Sequence, residues 1–337
     1  MIADSARGLF CDAGNFYIDP WEPVDRALIT HAHGDHARAG SASYLCAAPG
    51  APVLRRRLPE AHIETLEYGE ARTLGDVRIS FHPAGHILGS SQIRLERDGE
   101  VWVVSGDYKR APDPTAAAFE PVRCHTFITE ATFALPIYTW DPPPLVADDI
   151  VEWWHANREA GRPSLLFCYA LGKAQRILGM LHGMADEPIR LHGAMAALTD
   201  AYREADVRLA ETERIGEGTR GKALVRALVL APLSARGTPW MRRLPNASTA
   251  FASGLMRVRG VRRQRAFDRG FVLSDHADWP SLLATIEETG ASRVLVTHGW
   301  SDAFARYLAE RGYETGTLRT AFEGEPGELT AQPEPEA

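Results

Sequence analysis

LITHAHGDHARAG, Leu28 to Gly40, sets three histidines and an aspartate within six positions directly behind a short apolar run. A solvent-facing loop has no use for so many imidazoles, and a core would have to hydrogen-bond every ring nitrogen. A metal ion accounts for both the residue types and their crowding. Leu28 and Ile29 read as the end of a buried strand, and α/β sheets place their sites just beyond the carboxyl ends of strands. Residues two apart in extended backbone face the same side, so His31 and His33 converge on one ion. Gly34 then allows the turn that brings Asp35 and His36 round towards a second.

Similar settings recur outward from that stretch. His86 in HPAGHILGS and His298 in VLVTHGW each follow a strand-like run beside glycine, and Asp107 ends VWVVSGD in the same way. His82 competes with His86, but Pro83 and Gly85 preclude a helix that would present both, and His86 is favoured. His62, His125, His155, His182 and His192 have no such context and read as structural.

The chain has 337 residues, 45% hydrophobic and 24% charged, with a net charge of -7. That length and composition fit one large or two intertwined globular domains and exclude a globally basic nucleic-acid coat. Cys11, Cys46, Cys124 and Cys168 lie far apart with no C-x-x-C pair, which suits reduced thiols better than disulfides or a thiolate zinc site. MIADSARGLF lacks a basic and then apolar leader, and no apolar run approaches a membrane span, so a cytoplasmic, unanchored protein is expected.

NFYIDP, RALIT, VRISFHPAG, SQIRLER and VWVVSGD read as short strands. WDPPPLVADDI marks a break, after which strand and helix alternate: SLLFCYA then GKAQRILGMLHGM, PIRLH then AMAALTDAYREA, RALVLAPL then SARGTPWMRRL. That spacing predicts βαβ units on a parallel sheet. RGFVLSD, WPSLLATIEETG, RVLVTHG and DAFARYLAERG close the fold. The expected division is one α/β domain in two parts, 1–140 and 254–322, interrupted by a second at 141–253, with a disordered acidic tail at 323–337.

At this point the chain resembles a family. HAHGDH, AGHILGS and SGDY match successive motifs of the metallo-β-lactamase fold, and TEATF, ASGLM, SDHADW and VTHGW further resemble the β-CASP nucleases, the group containing RNase J. The likeness runs from about Gly8 to Tyr313, and the FYIDPW opening and compact length make it most like the bacterial DNA-ligase-associated exonucleases. The resemblance implies an α/β fold, a metallo-β-lactamase αββα sandwich with an inserted β-CASP α/β cap on a parallel sheet. It implies two divalent ions, zinc or manganese, one held by His31, His33 and His86, the other by Asp35, His36 and His298, with Asp107 bridging. Glu130 and His276 match the two β-CASP catalytic positions, Asp35 belongs to the catalytic set as well as the ligands, and Asp19 fits an early aspartate that supports the site. One departure is EATFA, where Ala134 replaces a usual glycine and leaves the loop after Glu130 in question, since alanine resists positive φ.

Two cations ~3.5–4 Å apart suit phosphodiester hydrolysis, because a shared water is acidified and the anionic phosphate is drawn onto the metals. The expected activity is therefore a metal-dependent DNA exonuclease working through such a hydroxide, in repair alongside a DNA ligase and a helicase. An RNase of the RNase J kind is the alternative, and a small-molecule metallo-hydrolase the next. The insert supports a polynucleotide substrate. RVRGVRRQRAFDRG places six arginines within thirteen positions, and Arg257, Arg259 and Arg262 are candidate phosphate contacts, with a charge-guarded edge strand as the bland alternative. Lys173 and Arg176 open a helix where phosphate could also bind, and RRR at Arg55 to Arg57 is a weaker case.

Overall fold

A computed structural model describes residues 1–216, 218, 219 and 221–319, leaving aside the side chains of Lys222, Arg262, Gln264 and Arg265. The expected tail, 323–337, lies outside the described residues. The chain divides into two compact units, the first comprising Met1–Thr139 and the stretch from Asp275 onward, the second Trp140–Ser274.

The first unit opens with β1 (Ile2–Ser5), β2 (Gly8–Cys11), β3 (Phe16–Ile18), β4 (Arg26–Ile29), β5 (Ser43–Ala47), α1 (Ala51–Arg57) and β6 (Ile63–Leu66). It continues with β7 (Ala71–Leu74), β8 (Val77–Pro83), β9 (Ser91–Arg97), β10 (Glu100–Val104) and β11 (Thr126–Glu130). The second unit holds α2 (Pro143–Glu159), β12 (Ser164–Phe167), α3 (Lys173–Met180), β13 (Ile189–Leu191), α4 (Gly193–Glu204), β14 (Thr212–Arg214), β15 (Leu228–Ala231), β16 (Ser248–Ala252), α5 (Arg259–Arg265) and β17 (Arg269–Phe271). The chain then returns to the first unit with α6 (Trp279–Thr289), β18 (Arg293–Thr297), α7 (Ser301–Ala309) and β19 (Glu314–Thr317).

Strands β1 to β6 form one sheet in sequence order, and the other sheet of the first unit runs β19-β18-β11-β10-β9-β8-β7. Alternation along β10 shows how the layers meet. Trp102 and Val104 join a buried cluster with Leu9, Phe16, Ile18, Leu28 and Leu45 of the first sheet and Ile79 and Phe81 of the second. Val101 and Val103 point the other way, into a cluster with Leu282 and Ile286 of α6 and Phe304 and Leu308 of α7. Side chains of opposite parity therefore fill the gap between the sheets and the layer under the helices. The fold is the αββα sandwich implied by the sequence, and the second unit carries the parallel sheet, ordered β14-β13-β15-β12-β16-β17. Phe127 of β11 is fully buried under α6 and α7. Its replacement by alanine is expected to destabilise the first unit by about 3–5 kcal/mol, read as a lower urea midpoint with an unchanged slope.

The return to the first unit, expected at residue 254, comes at Asp275. The intervening segment stays in the second unit because β17 extends its sheet, Ala250 to Ala252 pairing in parallel with Arg269 to Phe271. The arginine-rich stretch is accordingly helical over α5, and only Arg269–Phe271 forms an edge strand. SARGTPWMRRL is not a helix but two 3-10 turns, Leu233–Ala235 and Pro239–Arg243, because Gly237 takes a positive φ and Pro239 follows. Among the described residues no helix is long and apolar enough to cross a membrane.

Strand direction decides where chemistry can gather. β10, β11 and β18 are parallel, with Val104 opposite Ile128 and Glu130 opposite Thr297. Their carboxyl ends therefore release Asp107, Glu130 and His298 at one edge.

Candidate metal centre

Every residue of the centre belongs to the first unit. Beyond β4, Ala37 N–H donates to the His33 carbonyl at 2.9 Å, closing a turn that keeps His31, His33 and His36 together. His31 Nε2 lies 3.1 Å from His33 Nδ1, which in turn lies 3.1 Å from His86 Nε2. Asp107 Oδ2 stands 3.5 Å from His31 Nε2, 3.8 Å from His86 Nε2 and 3.4 Å from His36 Nε2. Its other oxygen is 3.5 Å from His298 Nδ1, and Asp35 Oδ2 is 3.9 Å from His36 Nε2. The seven side chains expected as ligands are thus brought together, with Asp107 facing both groups of imidazoles.

These spacings fit a metal. Donor atoms about 2.1 Å from a common ion stand roughly 3.0–3.4 Å apart around octahedral or tetrahedral centres. The donors of His31, His33, His86 and Asp107 lie within 4.8 Å of one another, as do those of His36, Asp107 and His298. His36 Nε2 and Asp107 Oδ1 are buried without a hydrogen bond, an arrangement that is costly unless a cation completes it. The all-nitrogen-and-oxygen donor set suits a borderline or hard divalent ion.

Electrostatics agree with the geometry. Burial, reinforced by neighbouring imidazoles, holds His31 and His86 well below the usual histidine range, in the neutral form that ligates. Burial would push Asp107 up, but His36, His276 and His298 override it and keep the carboxyl well below its ordinary range. Burial would likewise lower His36, yet Asp107, Asp35 and Asp19 together hold it well above. A positive charge is wanted at this spot.

Outer contacts aim the rings. His86 Nδ1 lies 2.7 Å from the Asp275 carbonyl, and His36 Nδ1 lies 2.7 Å from Asp19 Oδ2, which leaves Nε2 of each to face the centre. His298 has φ +59°, a strained conformation for a non-glycine residue. Gly299 follows in the same region, where an added Cβ would stand 2.4 Å from the Ala131 carbonyl.

Next to this cluster, His276 Nδ1 is 2.8 Å from Glu130 Oε2, and Glu130 Oε1 accepts the Tyr108 N–H at 2.8 Å. Both carboxylate oxygens are therefore engaged. Asp107, Glu130 and His276 have donor atoms within 4.8 Å of one another, so the pair adjoins the Asp107 carboxylate. The loop after Glu130 needs no left-handed residue at Ala134, which is buried and donates its N–H to the Ala131 carbonyl at 3.2 Å.

The cations expected to meet phosphate fare differently. Lys173 and Arg176 are buried, 1% and 4% exposed, with the Lys173 ammonium over the Tyr169 ring and Arg176 donating to the Ser274 carbonyl. They serve the interior and offer no solvent-facing contact, which corrects their reading as cations at an open helix start. Arg257 is half-buried and 3.4 Å from Asp141, Arg259 is exposed, and the Arg262 side chain lies outside the described residues. Arg57 donates to the Ala32 carbonyl at 2.5 Å and so braces the ligand loop from behind, whereas Arg55 and Arg56 are exposed. Its role was invisible in RRR. Thr30 was also missed, although it directly precedes His31, and its hydroxyl stands between Asp19 and the His31 ring. Of the histidines set aside as structural, His125 accepts the Val101 N–H and His192 caps α4.

No protein-family model matches the chain. A protein from Opitutus terrae described as a probable DNA ligase is 32% identical over 318 residues, covering 93% of this chain and 30% of that protein. An RNase J-like protein from Methanocaldococcus jannaschii is 26% identical over 225 residues, covering 58% of this chain and 53% of the relative. The chain thus spans under a third of the first relative and about half of the second. A solved structure of a protein of unknown function from Enterococcus faecalis superposes with a TM-score of 0.61 at 13% identity, covering 89% of this chain and 80% of that one. That likeness is one of fold.

Proposed function

We propose, for a chain that belongs to the β-CASP group of the metallo-β-lactamase superfamily, the activity of a metal-dependent DNA exonuclease acting in repair in the cytoplasm beside a DNA ligase. The observation that carries this reading is the convergence of His31, His33, Asp35, His36, His86, Asp107 and His298 next to the His276–Glu130 pair. Two divalent ions, zinc or manganese, would supply an acidified water and a clamp on the phosphate oxygens. His276 then protonates the leaving oxygen through Nε2, while Glu130 holds Nδ1 and orients the ring. Tyr108 N–H fixes the carboxylate in turn. The ligase partner is supported by the Opitutus relative, in which a region like this chain forms 30% of a protein described as a probable DNA ligase. A helicase is a further expected partner. Exposed Arg259 and half-buried Arg257 are the remaining candidates among the described residues for contact with the strand.

A second reading, an RNase of the same chemistry, is favoured by the RNase J-like relative. Metal-stripped protein should be given manganese or zinc and incubated with DNA and RNA labelled at the 5′ or 3′ end. Progressive shortening of DNA with RNA left intact is expected. Degradation of RNA alone would transfer the assignment to the second reading, and thioester turnover without any nuclease activity would overturn both.

A further inference from the structure

Thr30 is 1% exposed and has no ligand atom of its own, yet four separate stretches of the centre meet on it. Its N–H donates to Asp19 Oδ1 at 2.8 Å and its hydroxyl to Asp19 Oδ2 at 2.5 Å. Its carbonyl accepts both the N–H and the hydroxyl of Ser91, at 2.8 and 3.0 Å. Ser91 follows Ser90, whose hydroxyl accepts the His86 N–H at 2.9 Å and so shapes the turn carrying that histidine. The Thr30 side chain also fills the space beside Gly106, where an added Cβ would stand 2.6 Å from Thr30 Cβ, immediately before Asp107.

Proton counting gives the hydroxyl a more specific part. It has one proton, and at 2.5 Å that proton belongs to the Asp19 carboxylate, which can only accept. Towards His31 Nδ1, 3.1 Å away, the oxygen must therefore act as acceptor. His31 then carries its own proton on Nδ1 and presents the Nε2 lone pair to His33 and Asp107. Asp19 Oδ2 holds the Nδ1 proton of His36 directly at 2.7 Å. We infer that Thr30 is a positioning residue that relays Asp19 to His31, so that a single carboxylate sets the tautomers of histidines serving both metal positions. This rests on the metal-centre reading above.

Valine at position 30 keeps the branched shape beside Gly106 and deletes the hydroxyl, whereas serine keeps the hydroxyl. Long-range proton–nitrogen NMR of the metal-free protein reads the His31 tautomer, and chelator competition reads zinc and manganese affinity. The expected wild-type tautomer is Nδ1–H, shifting towards Nε2–H in Thr30→Val, because the acceptor at Nδ1 is lost while the Asp107 carboxylate, 3.5 Å from Nε2, remains. Outer-shell partners of metal-bound histidine typically contribute 10–100-fold in affinity, so Thr30→Val should weaken binding by about that factor, with Thr30→Ser within about threefold of wild type. A wild-type His31 protonated on Nε2, an unchanged affinity in Thr30→Val, or an equal loss in Thr30→Ser would each overturn the inference. Failure of the wild-type protein to bind either metal would instead overturn the metal-centre reading, and the tautomer would still decide the role of Thr30.

Discussion

Replacing Asp107 with alanine is expected to abolish cleavage and to leave the protein with at most one of its two ions. The carboxylate approaches His31, His36 and His86 through Oδ2 and His298 through Oδ1, at 3.4–3.8 Å, so a single anionic side chain faces both ligand groups. Without it, buried imidazoles from both groups would face one another with no negative charge at their centre. The ions could then approach only against mutual repulsion, and a divalent pair held a few ångströms apart needs an anion between them. The fold should survive, since Asp107 lies beyond the end of β10 and the strand's core contacts come from Val101 to Val104. Elemental analysis of dialysed protein, together with a nuclease assay, checks this. Loss of detectable cleavage together with halved metal content is expected. Full activity with two ions would discard the bridging role.

The ligand residues were legible because their signals are local. Each of the four stretches that carry them follows a strand-like run and contains a glycine, and HAHGDH compresses four of the seven into one turn. Their mutual placement is a different matter. Glu130 and His276 are separated by 146 positions, and they meet because β11 pairs in parallel with β18 while the His276 loop packs through the Ala277 N–H on the Tyr108 carbonyl. Nothing in the periodicity of either segment encodes that pairing, and only the resemblance pointed to it. The same limit explains the misplaced domain boundary. RGFVLSD reads as a strand wherever it sits, and which sheet it joins depends on whether β16 offers a free edge. Side-chain burial is harder still. A Lys-x-x-Arg at a helix start looks like an exposed cation pair, and only tertiary packing places Lys173 and Arg176 inside. The bracing role of Arg57, and Thr30 altogether, escaped notice for a related reason. They act through backbone carbonyls and a single hydroxyl, contacts that leave no compositional trace.

The second large effect concerns His276, and it separates chemistry from metal binding. His276→Ala should retain both ions, because the ring's Nδ1 is committed to Glu130 and the seven remaining donors hold the cluster without it. A positioned general acid contributes about 10²–10⁴ in rate, and a loss of that size in kcat with little change in KM is expected. The deficit should also depend on the leaving group. A nucleotide alkoxide departs poorly without a proton, whereas a nitrophenolate needs none, so a nitrophenyl phosphodiester should be cleaved by the variant at close to the wild-type rate. Glu130→Gln should show the same selectivity at smaller amplitude, since the amide still reaches the ring but no longer favours its charged form. If both substrates slow equally and metal content falls in step with activity, His276 is a ligand and the proton comes from elsewhere. If metal stays and only the alkoxide substrate suffers, the proton is delivered from this ring, and the 2.8 Å contact to Glu130 is what keeps the ring turned to deliver it.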